Sequence, residues 1–139
     1  MKRTYFLITG LVVAIIIAYV VWANLLKTAP STSNRDTETQ IAATDLYQAF
    51  ETDEQKANEL YLNKIIEVTG EVVSVDESED LKPAISLRTE GFGVVKCTFE
   101  TAEDFETSEI TLGSQITIKG ECIGYLLDVL LRNSIIIND

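Results

Sequence analysis

The sulfur chemistry of the chain rests on two residues, Cys97 and Cys122, and the sequence contains no histidine. Outside a reducing compartment two thiols can form a disulfide, which here would close a loop of about 25 residues and stabilise the fold by roughly 3–4 kcal/mol. Both cysteines also alternate with apolar residues, Cys97 with Val95 and Phe99 and Cys122 with Ile118. This is the pattern of buried free thiols, so both alternatives stay open.

The residue types argue against catalysis and against a metal centre. Without histidine there is no Ser-His-Asp or Cys-His machinery, and two cysteines are too few ligands for a closed zinc site. The acidic run Asp76–Asp80 has the alternating oxygens of a calcium loop, but Leu81 and Leu87 stand where Gly and a bidentate Glu are needed. We therefore predict no enzyme activity, no cofactor and no metal, and a solvated loop at Asp76–Asp80.

Aromatic residues near predicted turns are the best candidates for binding contacts. Phe92 lies between Gly91 and Gly93, and Tyr125 follows Gly124. Glycine marks turns, where side chains are exposed. We predict Phe92 and Tyr125 as exposed contacts of a binding surface.

The charge is divided sharply along the chain of 139 residues, whose formal net charge is −11. Residues 1–27 carry +3, whereas residues 28–139 carry eight bases and 22 acids, a charge of −14. Such a domain repels a phosphate backbone, which disfavours a nucleic-acid partner. A local patch of Lys64, Arg88, Lys96 and Lys119 stays open as an exception.

Residues 5–26 contain no charged side chain and as a helix would span about 33 Å, close to the thickness of a bilayer. Lys2 and Arg3 precede this segment and Lys27 follows it. We predict a single-pass membrane anchor with the N-terminus in the cytoplasm and the following domain periplasmic or extracellular. A cleaved signal peptide is the alternative.

Residues 28–39 are polar and predict a flexible linker, so residues 40–139 form the folded domain. Residues 41–63 predict one or two amphipathic helices, with Thr52 and Gln55 in a capping box. Alternating patterns then predict five strands, near residues 64–76, 84–89, 92–99, 115–122 and 127–137, with a short helix or loop at 101–110. This order is typical of a mainly β, five-stranded OB-fold barrel.

Two details strengthen the prediction of a barrel. The alternation changes phase near Gly70, which indicates a bend or bulge in the first strand. Val68-Thr69-Gly70-Glu71 and Ile118-Lys119-Gly120-Glu121 share an x-Gly-Glu pattern. The first and fourth strands of an OB barrel are neighbours, so we expect these two motifs to lie side by side.

Three motifs have a spacing found together in one family: the run from Ala57 through Tyr61 and Lys64 to Val72, the segment Val95-x-Cys97-x-Phe99, and residues Leu112–Gly124. Through them residues 40–138 resemble the tRNA_anti-like OB-fold family. The resemblance implies a small exported or membrane-anchored bacterial protein without a defined catalytic motif. The family often has a further cysteine in the last strand, where this chain has Ser134.

These observations predict a membrane-anchored OB-fold binding module. Its partners would be the lipid bilayer, through residues 5–26, and an unknown protein, peptide or saccharide. The alternative is a nucleic-acid-binding OB-fold domain.

Overall fold

The computed structural model describes residues 14–19, 32, 35–77, 82–100 and 110–137. The chain divides into two compact units, Met1–Pro30 and Ser31–Asp139. In the first unit residues 14–19 are helical and exposed, and the remainder of the predicted anchor at residues 5–26 lies outside the described residues. Within the described ranges, no helix has the length and apolar character needed to cross a membrane.

The described residues of the second unit form two helices and six strands. In chain order they are β1 (Thr39–Ala42), α1 (Ala43–Thr52), α2 (Glu54–Tyr61), β2 (Ile65–Asp76), β3 (Ala84–Leu87), β4 (Val95–Thr98), β5 (Gln115–Leu126) and β6 (Asp128–Ile137). The strands β2 to β6 match the five predicted strands. The helix or loop predicted at 101–110 lies, apart from residue 110, outside the described residues.

The strands close into a barrel. Their order is β1-β2-β3-β4-β6-β5, and β5 pairs again with β2. The parallel pair β4–β6 and the antiparallel pairs β2–β5 and β5–β6 complete the circuit. The prediction of a mainly β, five-stranded barrel is therefore confirmed, with β1 as an additional strand parallel to β2.

Residues 37–39, the last of the predicted linker, are tied to β2. The Thr37 hydroxyl donates to the Glu67 carboxylate, and Glu38 N donates to Ile65 O at 2.9 Å. Thr39 then begins β1, which includes residues 41–42, although the sequence pattern predicts a helix from residue 41. Pairing with β2 keeps these residues extended.

Strand β2 bends as its sequence predicts, although the irregularity falls between Val72 and Ser74, slightly after Gly70. The two x-Gly-Glu motifs do pair, because Gly70 lies opposite Ile116 and Gly120 lies opposite Ile66. A Cβ atom at Gly70 would lie 2.9 Å from Ala43 Cβ, so this glycine lets α1 approach the barrel.

Helix α1 closes one end of the barrel with an apolar face. Leu46 and Phe50 are four residues apart and fully buried, and Ala43 and Tyr47 are buried beside them. This spacing places all four on the face that meets the core. The boundary with α2 differs from the predicted capping box, since Asp53 caps α2 by accepting from Lys56 N at 3.1 Å.

One buried polar group in the described part of the barrel has no hydrogen-bond partner, the Ser134 hydroxyl. Ser134 is fully buried in β6. A Cβ atom at Gly120 on the adjacent strand would be 2.8 Å from the Ser134 oxygen, so there is little room around it. A buried hydroxyl without a partner loses its hydration and gains nothing in return.

We expect Ser134→Ala to raise the free energy of unfolding by about 1 kcal/mol, because it removes an unsatisfied hydroxyl from the core. Urea denaturation followed by circular dichroism measures the change. The matched control is Ser114→Ala, whose hydroxyl donates to Thr111 O at 2.7 Å and whose loss should destabilise by about 0.5 kcal/mol. Equal destabilisation by both substitutions would contradict the prediction.

Candidate binding surface at one end of the barrel

Two connections meet at the end of the barrel that α1 closes. The loop 88–94 joins β3 to β4, and the turn 126–128 joins β5 to β6. Together they expose three large apolar side chains, Phe92 at 103%, Leu126 at 82% and Leu127 at 72% of full exposure. We call these three residues the apolar tip. Single exposed apolar residues are ordinary, but three on adjoining connections form a patch.

The two connections are fastened to each other and to α1. Gly93 N donates to the Tyr47 hydroxyl at 3.1 Å. Val94 N donates to Asp128 Oδ1 at 2.9 Å, and Val129 N donates to Val94 O at 3.0 Å. The apolar tip therefore stands on a hydrogen-bonded base.

The glycines on either side of Phe92 are required by close contacts. A Cβ atom at Gly91 would lie 2.1 Å from Tyr47 Cε1, and one at Gly93 would lie 2.1 Å from Leu127 O. No side chain fits at these two positions. The loop thus presses against Tyr47 and Leu127, while the Phe92 side chain points away into solvent.

Tyr125 supports the tip from beneath. Its ring lies 5.8 Å from the Tyr47 ring in an edge-on arrangement and 5.8 Å from the Phe50 ring in a stacked arrangement. Phe92 and Tyr125, the two predicted contacts, thus belong to the same end of the barrel, because Tyr47 contacts both Tyr125 and the glycines on either side of Phe92. Phe92 is fully exposed, whereas Tyr125 is half-buried.

The Tyr125 hydroxyl is held in its neutral form. A hydrogen bond with Tyr47 raises the pKa of Tyr125 to about 12, with contributions from desolvation and from the charges of Tyr47, Glu51 and Glu54. The tyrosine is therefore uncharged at physiological pH. Glu51 lies one helical turn after Tyr47 in α1, and Glu54 begins α2.

Leu127 has an unusual backbone conformation. Leu126 pairs with Asp128, which leaves Leu127 alone at the turn with a φ of 84°. A non-glycine residue in this region costs roughly 1–2 kcal/mol. The sequence pattern places the turn between residues 122 and 127, around Gly124, and therefore identifies Tyr125 instead of Leu126 and Leu127. The ladder of β5 with β6 continues past Gly124, and the turn falls at Leu127.

The comparisons with known proteins agree with this architecture. The sequence profile of the tRNA_anti-like family matches residues 1–136. The chain belongs to the tRNA_anti-like family. A crystal structure of a proposed nucleic acid-binding lipoprotein from Klebsiella pneumoniae subsp. pneumoniae MGH 78578 is similar to the chain, with a TM-score of 0.60 and 19% identity over 72% of this chain and 92% of that one. No curated protein matches significantly.

The resemblance of residues 40–138 to this family is thus confirmed, and the Klebsiella structure supports the fold. OB folds often bind oligonucleotides with their second and third barrel strands, which in this tRNA_anti-like domain are β3 and β4. Neither strand contains an aromatic residue. The bases beside them face carboxylates, in the pairs Lys82–Glu100 at 2.6 Å, Arg88–Glu71 at 3.1 Å and Lys96–Asp76 at 3.9 Å.

The described residues contain no cluster of three histidine, cysteine or carboxylate side chains that could hold a metal ion. Residues 78–80 of the run Asp76–Asp80 lie outside the described residues. Its first residue, Asp76, is the last residue of β2 and pairs in the ladder with Ala84.

Cys97 and Cys122 are both buried free thiols in the structure. They pair with Leu131 from opposite sides, Cys97 in β4 and Cys122 in β5. Two strand spacings separate their Cα atoms by about 9.5 Å, whereas a disulfide needs less than about 7 Å. The disulfide stays a prediction, and the strand order favours its alternative, two core thiols.

The environment of the thiols suppresses their reactivity. Burial, and to a lesser extent the neighbouring Cys122, raise the pKa of Cys97. Burial also raises the pKa of Cys122, partly offset by a hydrogen bond with the Gly124 backbone. Since the thiolate is the reactive form, both groups behave as small apolar side chains.

We expect Leu127→Gly to raise the free energy of unfolding by about 0.5–1 kcal/mol. Relief of the left-handed backbone outweighs the greater flexibility of glycine in the unfolded chain. Thermal and urea denaturation measure the effect. Leu127→Asn is the matched control, because asparagine tolerates this conformation while keeping a side chain. Destabilisation by both variants would show that packing of the Leu127 side chain outweighs the strain of its backbone.

We expect thiol labelling of the denatured, unreduced protein to modify two cysteines per chain, while the native protein reacts slowly because both thiols are buried. Mass spectrometry counts the labels. A Cys97→Ser variant labels once under the same conditions. Labelling of the unreduced wild type at neither position, followed by two labels after reduction, would establish the disulfide instead.

Proposed function

We propose that this chain is a membrane-tethered, non-catalytic binding module that contacts a protein or peptide partner through the apolar tip. The observation that carries the proposal is the exposure of Phe92, Leu126 and Leu127 on a hydrogen-bonded base. Exposed apolar patches rimmed by polar residues mark protein interaction sites, and aromatic residues such as phenylalanine are enriched at protein interfaces. A saccharide fits less well, because leucine side chains offer it no hydrogen bonds.

The rigidity of the tip supports a role in binding. Both connections are fixed by hydrogen bonds that involve Tyr47, Gly93 and Asp128. Binding of a partner would therefore cost little conformational entropy in these connections. The backbone conformation of Leu127 lowers the stability of the fold, and its side chain remains 72% exposed. A partner that covered Leu127 would bury its exposed side chain, and this burial would offset the cost of the strained backbone.

The amino-acid sequence supports the membrane tether. Residues 5–26 are uncharged, and Lys2 and Arg3 precede them, which favours a cytoplasmic N-terminus and an outward-facing domain. Alkaline phosphatase fused after Lys27 should be active, since this enzyme requires an oxidising compartment to form its disulfides. An inactive but stable fusion would reverse the proposed topology.

Nucleic-acid binding is the second candidate, because the Klebsiella protein of similar fold is described as a proposed nucleic acid-binding lipoprotein. The charge of −14 on residues 28–139 and the paired bases beside β3 and β4 count against it. Fluorescence anisotropy with single-stranded DNA and RNA at low salt tests it. Saturable binding that weakens with salt and is lost in Lys96→Glu would replace the protein-binding proposal.

The tip itself is tested by photo-crosslinking in membranes. A photoreactive phenylalanine replaces Phe92 in the full chain, and in the matched control it replaces Leu112. Leu112 is 64% exposed and lies just before the start of β5, whereas the tip follows its end. We expect a discrete crosslinked protein from position 92, absent from position 112, and lost in Leu126→Ser; equal yields from both positions would refute the proposal.

A further inference from the structure

Carboxylates lie beside the apolar tip. Glu51 follows Tyr47 by one helical turn in α1, and Tyr47 fastens the loop that carries Phe92. Glu54 is the first residue of α2, and Glu90 directly precedes Gly91 in the loop. Glu51 and Glu54 also help to raise the pKa of Tyr125 at the base of the tip. All three glutamates are exposed. We call these three residues the acidic rim.

The rim is not neutralised by the tip's own connections. The described residues of loop 88–94 and turn 126–128 include one base, Arg88. The Arg88 guanidinium is directed to Glu71, with Nε at 3.1 Å from the carboxylate. The fourth acid here, Asp128, is engaged with Val94 N. On the helices, Lys56 is the base nearest to Glu54 in sequence, but none of the three rim glutamates forms an ion pair with a described residue. The surface therefore combines an apolar centre with unpaired carboxylates.

We propose that the partner is a cationic protein segment that places an apolar side chain among Phe92, Leu126 and Leu127, and lysine or arginine side chains against the acidic rim. This inference rests on the proposed function of the tip and adds the chemistry of the partner. An apolar centre within a charged rim is the usual anatomy of a protein interface. Opposite charge on the partner steers its approach and sets specificity.

Other occupants fit the charge less well. The acidic rim would repel the phosphates of an anionic bilayer, although the side chains of the apolar tip would enter lipid. A second copy of this chain, meeting the first tip to tip, would place Glu51, Glu54 and Glu90 against their own duplicates. Like charges at an interface are unfavourable, so a basic segment is the occupant that satisfies both parts of the surface.

The experiment measures capture of the full chain, reconstituted in phosphatidylcholine nanodiscs, by immobilised short peptides of identical leucine content. The peptides carry lysine, serine or glutamate at the remaining positions. Vesicles of phosphatidylglycerol and of phosphatidylcholine are compared in parallel. Biolayer interferometry gives the dissociation constant, and the Phe92→Ser/Leu126→Ser/Leu127→Ser variant gives the background that does not depend on the tip.

We expect the leucine-lysine peptide to bind the wild type at least about tenfold more tightly than the leucine-glutamate peptide. The triple variant Glu51→Gln/Glu54→Gln/Glu90→Gln should lose about tenfold of this affinity, and Glu90→Gln alone about twofold. Glu77→Gln is the matched single control, because Glu77 is exposed and follows β2 at the opposite end of β3 from the tip. It should leave the affinity unchanged.

The outcomes separate this inference from the proposed function. Binding that needs the tip but ignores peptide charge, or tip-dependent binding to phosphatidylglycerol vesicles in preference to all peptides, overturns the cationic partner. The first of these results leaves the tip as a protein contact. Capture that the triple serine substitution does not change, or no capture of any peptide, overturns both.

Discussion

Strand β2 pairs with three other strands, and the remaining structure depends on this sharing. Residues 66–69 pair with β1 on one edge and with β5 on the other, while the second half of the strand pairs with β3. A straight strand could not pair with both β5 and β3 within a small closed barrel. The irregularity between Val72 and Ser74 bends β2, so the sheet curves onto itself and its interior becomes a core.

The core extends outward through a single helix to the candidate binding surface. Helix α1 buries Leu46 and Phe50 against the barrel, and Gly70 provides the space for Ala43 to approach. The same helix carries Tyr47, whose hydroxyl accepts from Gly93 N and whose ring adjoins Tyr125. The position of the apolar tip is therefore determined by packing in the interior, because contacts with a buried helix hold the exposed loop in one conformation.

The barrel was predictable from sequence because its strands alternate apolar and polar residues, and because repeated glycines mark the β2–β5 pair. Helix α1 was predictable from the spacing of Leu46 and Phe50. The strand β1 was not, because four residues carry too little periodicity and their pairing with β2 is a tertiary contact. Phe92 was identifiable from its flanking glycines, whereas Leu127 was not, since its strained turn is imposed by the ladder from Leu126 to Asp128.

The long-range pairing of β2 with β5 has a consequence for the order of folding. Thr69 and Thr117 bond through their hydroxyls across 48 positions of sequence, and β4 and β6 pair in parallel only after the chain has passed through β5. Contacts of such separation close slowly, because loop entropy is lost before they form. Val94 and Asp128 meet across the β4–β6 seam, so the apolar tip assembles when the seam closes. A chain with an incomplete barrel would therefore lack the surface, and recognition at the tip would distinguish finished molecules from folding intermediates.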